Sequence, residues 1–220
     1  MKLIETKSYD ELSRVAADML ISEIKAKPDC VLGLATGSTP IGTYDKLIEA
    51  YKANEVSFAK VKSINLDEYV GISWSNTESY RYFMNEHLFD HVDIDKTNTH
   101  VPNGLAGDLD EECARYDALY DQIGPVDIQV LGIGLNGHIG FNEPGTSLSA
   151  PTHIVKLSDS TRQANSRNFT SLDAVPYKAI TLGMAGIMKA KRVVLLASGT
   201  AKRDAIEKTV FGEVDPHVPA

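Results

Sequence analysis

Four short apolar runs, each separated from the next by a stretch of helical periodicity, constrain the fold of this chain more than any other feature. VLGLA (31–35), VKSINL from Val61, VDIQVLGIG from Val126 and RVVLLAS from Arg192 are aliphatic, rich in β-branched residues and short, which is the signature of buried parallel strands. KAITLGM reads as one more strand, and DEYVGISWSN as a loop. Ser8 and Glu11 form a capping-box pair ahead of an apolar face of Leu12, Val15, Ala16, Met19, Leu20 and Ile24, so a first helix is expected to end near Lys27-Pro28. Further helices are expected in IGTYDKLIEAYKAN, from about Thr77 to Phe89, in DLDEECARYDALYDQI and in TAKRDAIEKTV. Strands alternating with helices pair through crossovers. The expected fold class is therefore α/β: a three-layer, mostly parallel open sheet with helices on both faces, a modified Rossmann-like arrangement.

The 220 residues carry no internal repeat, low-complexity tract or linker-like shift in composition, and one domain over 1–220 is expected. The N-terminal MKLIETKSYDEL has no apolar stretch behind Lys2, and no run approaches membrane-spanning length, so a cytoplasmic protein is expected. Cys30 and Cys113 share no metal-type spacing and read as reduced, structural thiols. A net charge of −8 opposes binding to nucleic acid or to an acidic membrane, which need a concentrated basic face. A small phosphate ester needs only a few local cations and backbone amides.

In an open α/β sheet, ligands bind at the carboxyl ends of the strands, and three segments there could carry chemistry. Thr36-Gly37-Ser38-Thr39-Pro40 joins a strand to a helix, with Thr39 expected as N-cap and Pro40 as first helical residue. Amides at a helix start with the hydroxyls of Ser38 and Thr39 suit a phosphate, although a turn without a ligand has the same composition. No P-loop lysine is present, which disfavours a nucleoside triphosphate. Asp67-Glu68 follows a strand end, where one carboxylate can act as general base while the other faces elsewhere; an exposed acidic turn reads the same way.

The richest segment is LGIGLNGHIGFNEPG (131–145). Its formal GxGxxG at Gly132, Gly134 and Gly137 follows a strand, but the fingerprint must open a helix, and IGFNEPG carries too much Gly and Pro for one. Read as an irregular loop, it offers His138 with Glu143 five residues on, so the chain can fold back and set the carboxylate on the imidazole as an acid/base pair. Arg167 and Lys202 sit in small-residue contexts where a phosphate clamp or a solvated surface charge would look alike. His87 and His91 have a chelating spacing at a helix end, but HLFDH lacks the glutamate of HExxH and no third ligand is evident; no metal is expected.

LGLATGSTP, NLDEYVG, GIGLNGHIGFNEPG, TRQANSR and the SGTAK region, taken in order, resemble the glucosamine-6-phosphate deaminase family over nearly the whole chain. FNEP separates it from the 6-phosphogluconolactonases of the same fold. The resemblance implies a hydrolase-class, cofactor-free enzyme that converts D-glucosamine 6-phosphate and water to D-fructose 6-phosphate and ammonia, in amino-sugar catabolism. By similarity, His138 would shuttle the ring-opening proton, with Asn136 and Glu143 supporting it. Asp67 would move a proton from C2 to C1 through an enolamine. Gly37, Ser38, Thr39, Arg167 and Lys202 match the family's phosphate-holding positions. Some members have aspartate at the position of Asn136, which leaves the support of His138 less charged here. Allosteric members have a basic pair where this chain has His153 and Val155, so little or no activation by N-acetylglucosamine 6-phosphate is expected. Members continue beyond VDPHVPA with another strand and helix, and last C-terminal elements are expected to be missing here. A phosphosugar lactonase has no demand for Asp67, and a phosphosugar sensor would normally carry a fused DNA-binding segment, which is absent from this sequence.

Overall fold

The computed structural model describes residues 1–166 and 169–220. Ser8 starts the first helix, α1 (Tyr9–Ala26), as expected: its hydroxyl accepts from the Glu11 amide at 3.1 Å, and the Glu11 carboxylate takes the Lys7 amide at 2.7 Å. One stripe of α1 buries Ala16, Ala17, Leu20 and Ile24 in the core. Losing the cap leaves an orphan amide, so Ser8→Ala is expected to cost about 1 kcal/mol. Calorimetry should read this as a fall in Tm of about 2–4 °C.

The chain continues through β1 (Val31–Leu34), α2 (Ser38–Lys52), β2 (Lys62–Asn65), β3 (Asp67–Tyr69), α3 (Tyr80–His87), β4 (Thr99–His100), α4 (Leu109–Ile123) and β5 (Ile128–Gly132). It ends with β6 (His153–Lys156), α5 (Asp159–Asn165), β7 (Lys178–Thr181), α6 (Met184–Ile187), β8 (Val193–Leu196) and α7 (Arg203–Phe211). Five strands form a wholly parallel sheet in the order β4-β2-β1-β5-β8. Crossovers running outward in both directions from β1 place helices on both faces, which is the expected Rossmann-like arrangement. Leu32, Leu34, Ile64, Ile128 and Val130 form the middle of the main core. Asp127 pins the start of β5 by accepting from the Val31 amide and from Lys27 and Lys191. Against the cost of burial, the two lysine contacts and that amide hold its carboxyl at about 2. Cys30 and Cys113 are both buried free thiols, pushed up to about 12 and about 11 by burial.

One strand assignment differs from the sequence reading, and one expected strand joins a separate sheet. DEY is not loop but β3, and KAITLGM supplies β7 to a second, antiparallel sheet in the order β3-β7-β6 rather than to the parallel one. A short β-forming run carries no information about its partner or direction, which depend on residues far away in sequence. The two sheets meet where the chain passes from β2 through Leu66 into β3, and the Leu66 carbonyl accepts from the Leu182 amide at 2.6 Å. Helix α4 packs against β6 beneath the second sheet. The third helix is also shorter than expected, starting at Tyr80 behind an N-cap at Ser79.

Candidate active site

The loops that follow β1, β2, β5 and β8 emerge from adjacent strands at the carboxyl edge of the parallel sheet. After β1, the N-cap is Gly37, not Thr39, and Ser38 is already the first residue of α2, with Pro40 third. Gly37 has φ +96°, a conformation that a side chain disfavours, and this turn aims the free amides of the first helical turn outward. The first turns of α1 and α4 carry acidic residues, whereas that of α2 has none. The positive end of its dipole is left for an external anion. The Tyr9 hydroxyl braces the turn, contacting the carbonyls of Ser38 and Thr39 and accepting from the Gly42 amide.

After β2, alternation along β3 sends Asp67 and Tyr69 to one face and Glu68 to the other. Asp67 is 6% exposed, and its carboxylate accepts no hydrogen bond among the described residues. Burial, together with the neighbouring charge of Glu68, pushes its carboxyl up to about 8. Glu68 is fully buried and accepts three backbone amides, from Tyr69 at 2.8 Å and from Tyr80 and Arg81 at 3.0 Å. Burial raises its carboxyl to about 7, against the pull of those amides.

After β5, residues 133–152 contain no helix, so the formal GxGxxG does not open one. The loop instead folds around His138, with the Gly134 amide donating to the His138 carbonyl at 2.8 Å. A methyl group at Gly134 would lie 2.3 Å from the imidazole, which explains the need for glycine there. The loop brings His138 and Glu143 together as expected, with Nδ1 3.8 Å from the carboxylate, within ion-pair reach but beyond hydrogen-bond range. Asn136 bridges them. Its Oδ1 lies 2.7 Å from His138 Nδ1, and its Nδ2 donates to Glu143 Oε2 at 2.7 Å. Because the amide nitrogen is committed to the carboxylate, Oδ1 must accept, so the imidazole carries its proton on Nδ1 and leaves a lone pair on Nε2. Burial, opposed by Glu143 and assisted by the Lys202 charge, lowers the His138 pKa and keeps the ring neutral.

The same loop reaches Asp67. Thr181 on β7 pairs with Asp67, and its hydroxyl accepts from the Phe141 amide at 3.1 Å. Asn142, fully buried, donates to the carbonyls of Ile139 and Leu182. Asp67 and His138 are thus fastened to one frame, and Lys202, in the turn after β8, lies within electrostatic reach of the imidazole. Arg167 lies outside the described residues. Arg162 of the TRQANSR segment is structural, donating to the carbonyls of Leu172 and Val175 and lying 3.8 Å from the Tyr177 ring centre. Sequence reasoning missed the role of Thr161, which opens the TRQANSR segment and whose hydroxyl donates to Glu143 Oε1 at 2.8 Å, and of Ser158, the N-cap of α5, which donates to the Thr161 hydroxyl at 2.8 Å. Asn142 was legible within FNEP only as part of a motif. His91 is also engaged structurally, its Nε2 lying 2.8 Å from the Glu86 carbonyl.

A cavity of about 710 Å³ lies elsewhere, between α4 and β6, with Asp117, His153 and Lys178 in its lining. It is shallow, and its lining includes neither Asp67 nor His138.

Fold and edge together define an α/β protein with a buried carboxylate, a neutral imidazole and an anion-ready helix start at the switch point of a parallel sheet. The chain belongs to the family described as glucosamine-6-phosphate isomerases/6-phosphogluconolactonase, whose model matches residues 5–220. It is 54% identical over its full length to a glucosamine-6-phosphate deaminase of Geobacillus sp. (strain WCH70), covering 88% of that protein. It is also 54% identical to one from Clostridium perfringens (strain SM101 / Type A), covering 91%. A solved structure described as a monomeric glucosamine-6-phosphate deaminase superposes with a TM-score of 0.98 at 49% identity, covering all of this chain and 91% of that one. The 6-phosphogluconolactonase of Thermotoga maritima, at 18% identity and a TM-score of 0.76, covering all of this chain and 93% of that one, shares the fold alone.

Proposed function

We propose that this chain is a glucosamine-6-phosphate deaminase, converting D-glucosamine 6-phosphate and water to D-fructose 6-phosphate and ammonia in the cytoplasm. The observation that carries the reading is the pairing of two distinct proton-handling groups on one frame: buried Asp67 and neutral His138, joined through β7 and the 131–145 loop. Full-length identity of 54% to proteins of that name supports the substrate.

Ring opening needs a group that takes the anomeric hydroxyl proton and returns it to the ring oxygen. Nε2 of His138 suits this, with its tautomer fixed by Asn136 and Glu143. Isomerisation needs a base over C2. A desolvated carboxylate is a stronger base than one in water, so Asp67 takes the C2 proton, forms the enolamine and returns the proton to C1. Water then replaces the amine at C2, the step in which the hydrolase assignment lies. Gly37, Ser38 and Thr39 at the α2 start, with Lys202 and Arg167, hold the phosphate and fix both distances.

The test is ammonia release coupled to fructose 6-phosphate formation by purified protein, with EDTA present and no nucleotide. Equal amounts of both products support the deaminase; a folded protein that instead only opens a phosphosugar lactone overturns it. Lys202→Ala is expected to raise KM about tenfold, the loss of one charge-assisted contact, with a smaller change in kcat. The steady-state constants check this, and an unchanged KM removes Lys202 from the phosphate site.

A further inference from the structure

The proposed mechanism uses Asp67 and leaves its neighbour Glu68 without a role, yet Glu68 is among the most deeply buried charged side chains in the protein. Both of its oxygens are engaged. Oε1 accepts from the amides of Tyr69 and Tyr80, and Oε2 from the amide of Arg81. Two of these donors are the first residues of α3, twelve and thirteen positions away, so one carboxylate ties β3 to the start of a helix. That helix start faces the site. Tyr80 packs on Tyr69 at 4.8 Å between ring centres and stacks on Phe141 at 6.1 Å, and Phe141 belongs to the loop that carries His138.

We propose that Glu68 is a positioning residue for the reaction: it locks the strand bearing Asp67 against α3 and, through Tyr80 and Phe141, against the loop bearing His138. The inference rests on the functional reading above and adds a residue to it. A role as a helix cap alone is the competing account, because Ser79 already caps the same helix by accepting from the Tyr82 amide at 3.0 Å.

The charge of Glu68 gives the positioning role a signature. Ionisable groups that interact electrostatically with Asp67 are Glu68 and Tyr69 on β3, Tyr80 on α3 and Tyr116 on α4. Burial holds all three tyrosines well above their ordinary range, so they stay neutral; the Arg81 guanidinium turns away to the Thr99 carbonyl. Glu68 is then the neighbour whose negative charge opposes ionisation of Asp67. Removing that charge favours the carboxylate form, and the acid limb of kcat/KM moves to lower pH.

The experiment compares wild type, Glu68→Gln, Glu68→Asp and Ser79→Ala in ammonia release from about pH 5 to about pH 9. Gln keeps the length but loses the charge and offers a donor to the Arg81 amide; Asp keeps the charge but not the reach. Both are expected to lower kcat about tenfold or more with KM within about twofold, a geometric loss rather than a binding loss. Only Glu68→Gln should shift the acid limb, downward by about one unit. Ser79→Ala should lower Tm and leave kcat near wild type. A folded Glu68→Gln with wild-type kcat and acid limb overturns the inference, as does a Ser79→Ala loss that matches it. Should Glu68→Gln not fold, a wild-type kcat in Glu68→Asp overturns it and a tenfold loss at unchanged KM supports it. Wild-type protein that releases no ammonia overturns the functional reading together with this inference, whereas an active wild type with unmoved variants overturns this inference alone.

Discussion

Asp67→Asn is expected to lower kcat/KM for ammonia release by about 10³-fold, the range for removing a positioned general base. Asparagine fills the same space on β3 and keeps the pairing with Thr181, so the loss reports the missing proton acceptor rather than a collapsed site. The same substitution is expected to stabilise the protein, and the sign follows from linkage. Burial raises the Asp67 carboxyl from 3.8 to about 8. Below pH 3.8 both folded and unfolded chains hold the proton, and the group costs nothing. As pH rises from there towards about 8, the unfolded chain releases its proton while the folded one retains it, so wild-type stability falls. The substituted amide cannot ionise, so the Tm advantage of Asp67→Asn over wild type should be absent near pH 4, grow through neutrality and level off above about 8. Calorimetry across that range and coupled kinetics measure the two halves. An inactive Asp67→Asn with no pH-dependent gain in Tm would show that the carboxyl is not held in its raised state, and an active one would remove it as the base. Wild-type kcat/KM should correspondingly rise with pH through about 8, as the base becomes ionised.

Gly134→Ala is expected to lower kcat about 10²-fold, the penalty for displacing a catalytic group by about 1 Å. An added methyl would overlap Cε1 and Nδ1 of His138 at 2.3 Å, so the ring must swing away from Asn136 Oδ1. Gly134 is not among the glycines with positive φ, so alanine brings no backbone strain, and the fold should survive with a small change in Tm. The informative comparison is with Gly145→Ala, where φ is +92° and nothing lies within 4 Å. That variant strains the backbone without touching the imidazole, so it should lose more stability and less activity. Ring-proton NMR of His138 gives an independent check. A freed imidazole, away from the burial that lowers its pKa, should titrate higher than in wild type. If Gly134→Ala keeps wild-type kcat, the imidazole does not act from the position it occupies here.

Much of this architecture was legible because its causes are local. The Ser8–Glu11 box, the apolar stripe of α1 and the buried runs of β1, β2 and β5 are written in neighbouring residues, and they dictate an α/β sheet whose loops meet at one edge. Candidate chemistry was legible for the same reason, since Gly37-Ser38-Thr39, Asp67 and the 131–145 segment follow strands that could be recognised. The N-cap assignment failed at Thr39 because hydroxyl preference favoured it, while the chain adopts a left-handed turn at Gly37 and begins its helix one residue later.

The sequence by itself determined which residue types stand at the carboxyl ends of the strands: a carboxylate pair, an imidazole among glycines, and a helix start free of acidic residues. It determined these because strand and helix signals act over a few residues. Tertiary structure alone decided how those groups behave. The pairing of His138 with Glu143 became a hydrogen-bonded relay through Asn136, completed by Thr161 from α5. Asp67 became a desolvated base because β3 left the parallel sheet to pair with β7, and Glu68 became a tie between strand and helix. Desolvation, hydrogen-bond direction and charge proximity depend on which distant segments close over a group, and that is settled only when the whole chain has packed.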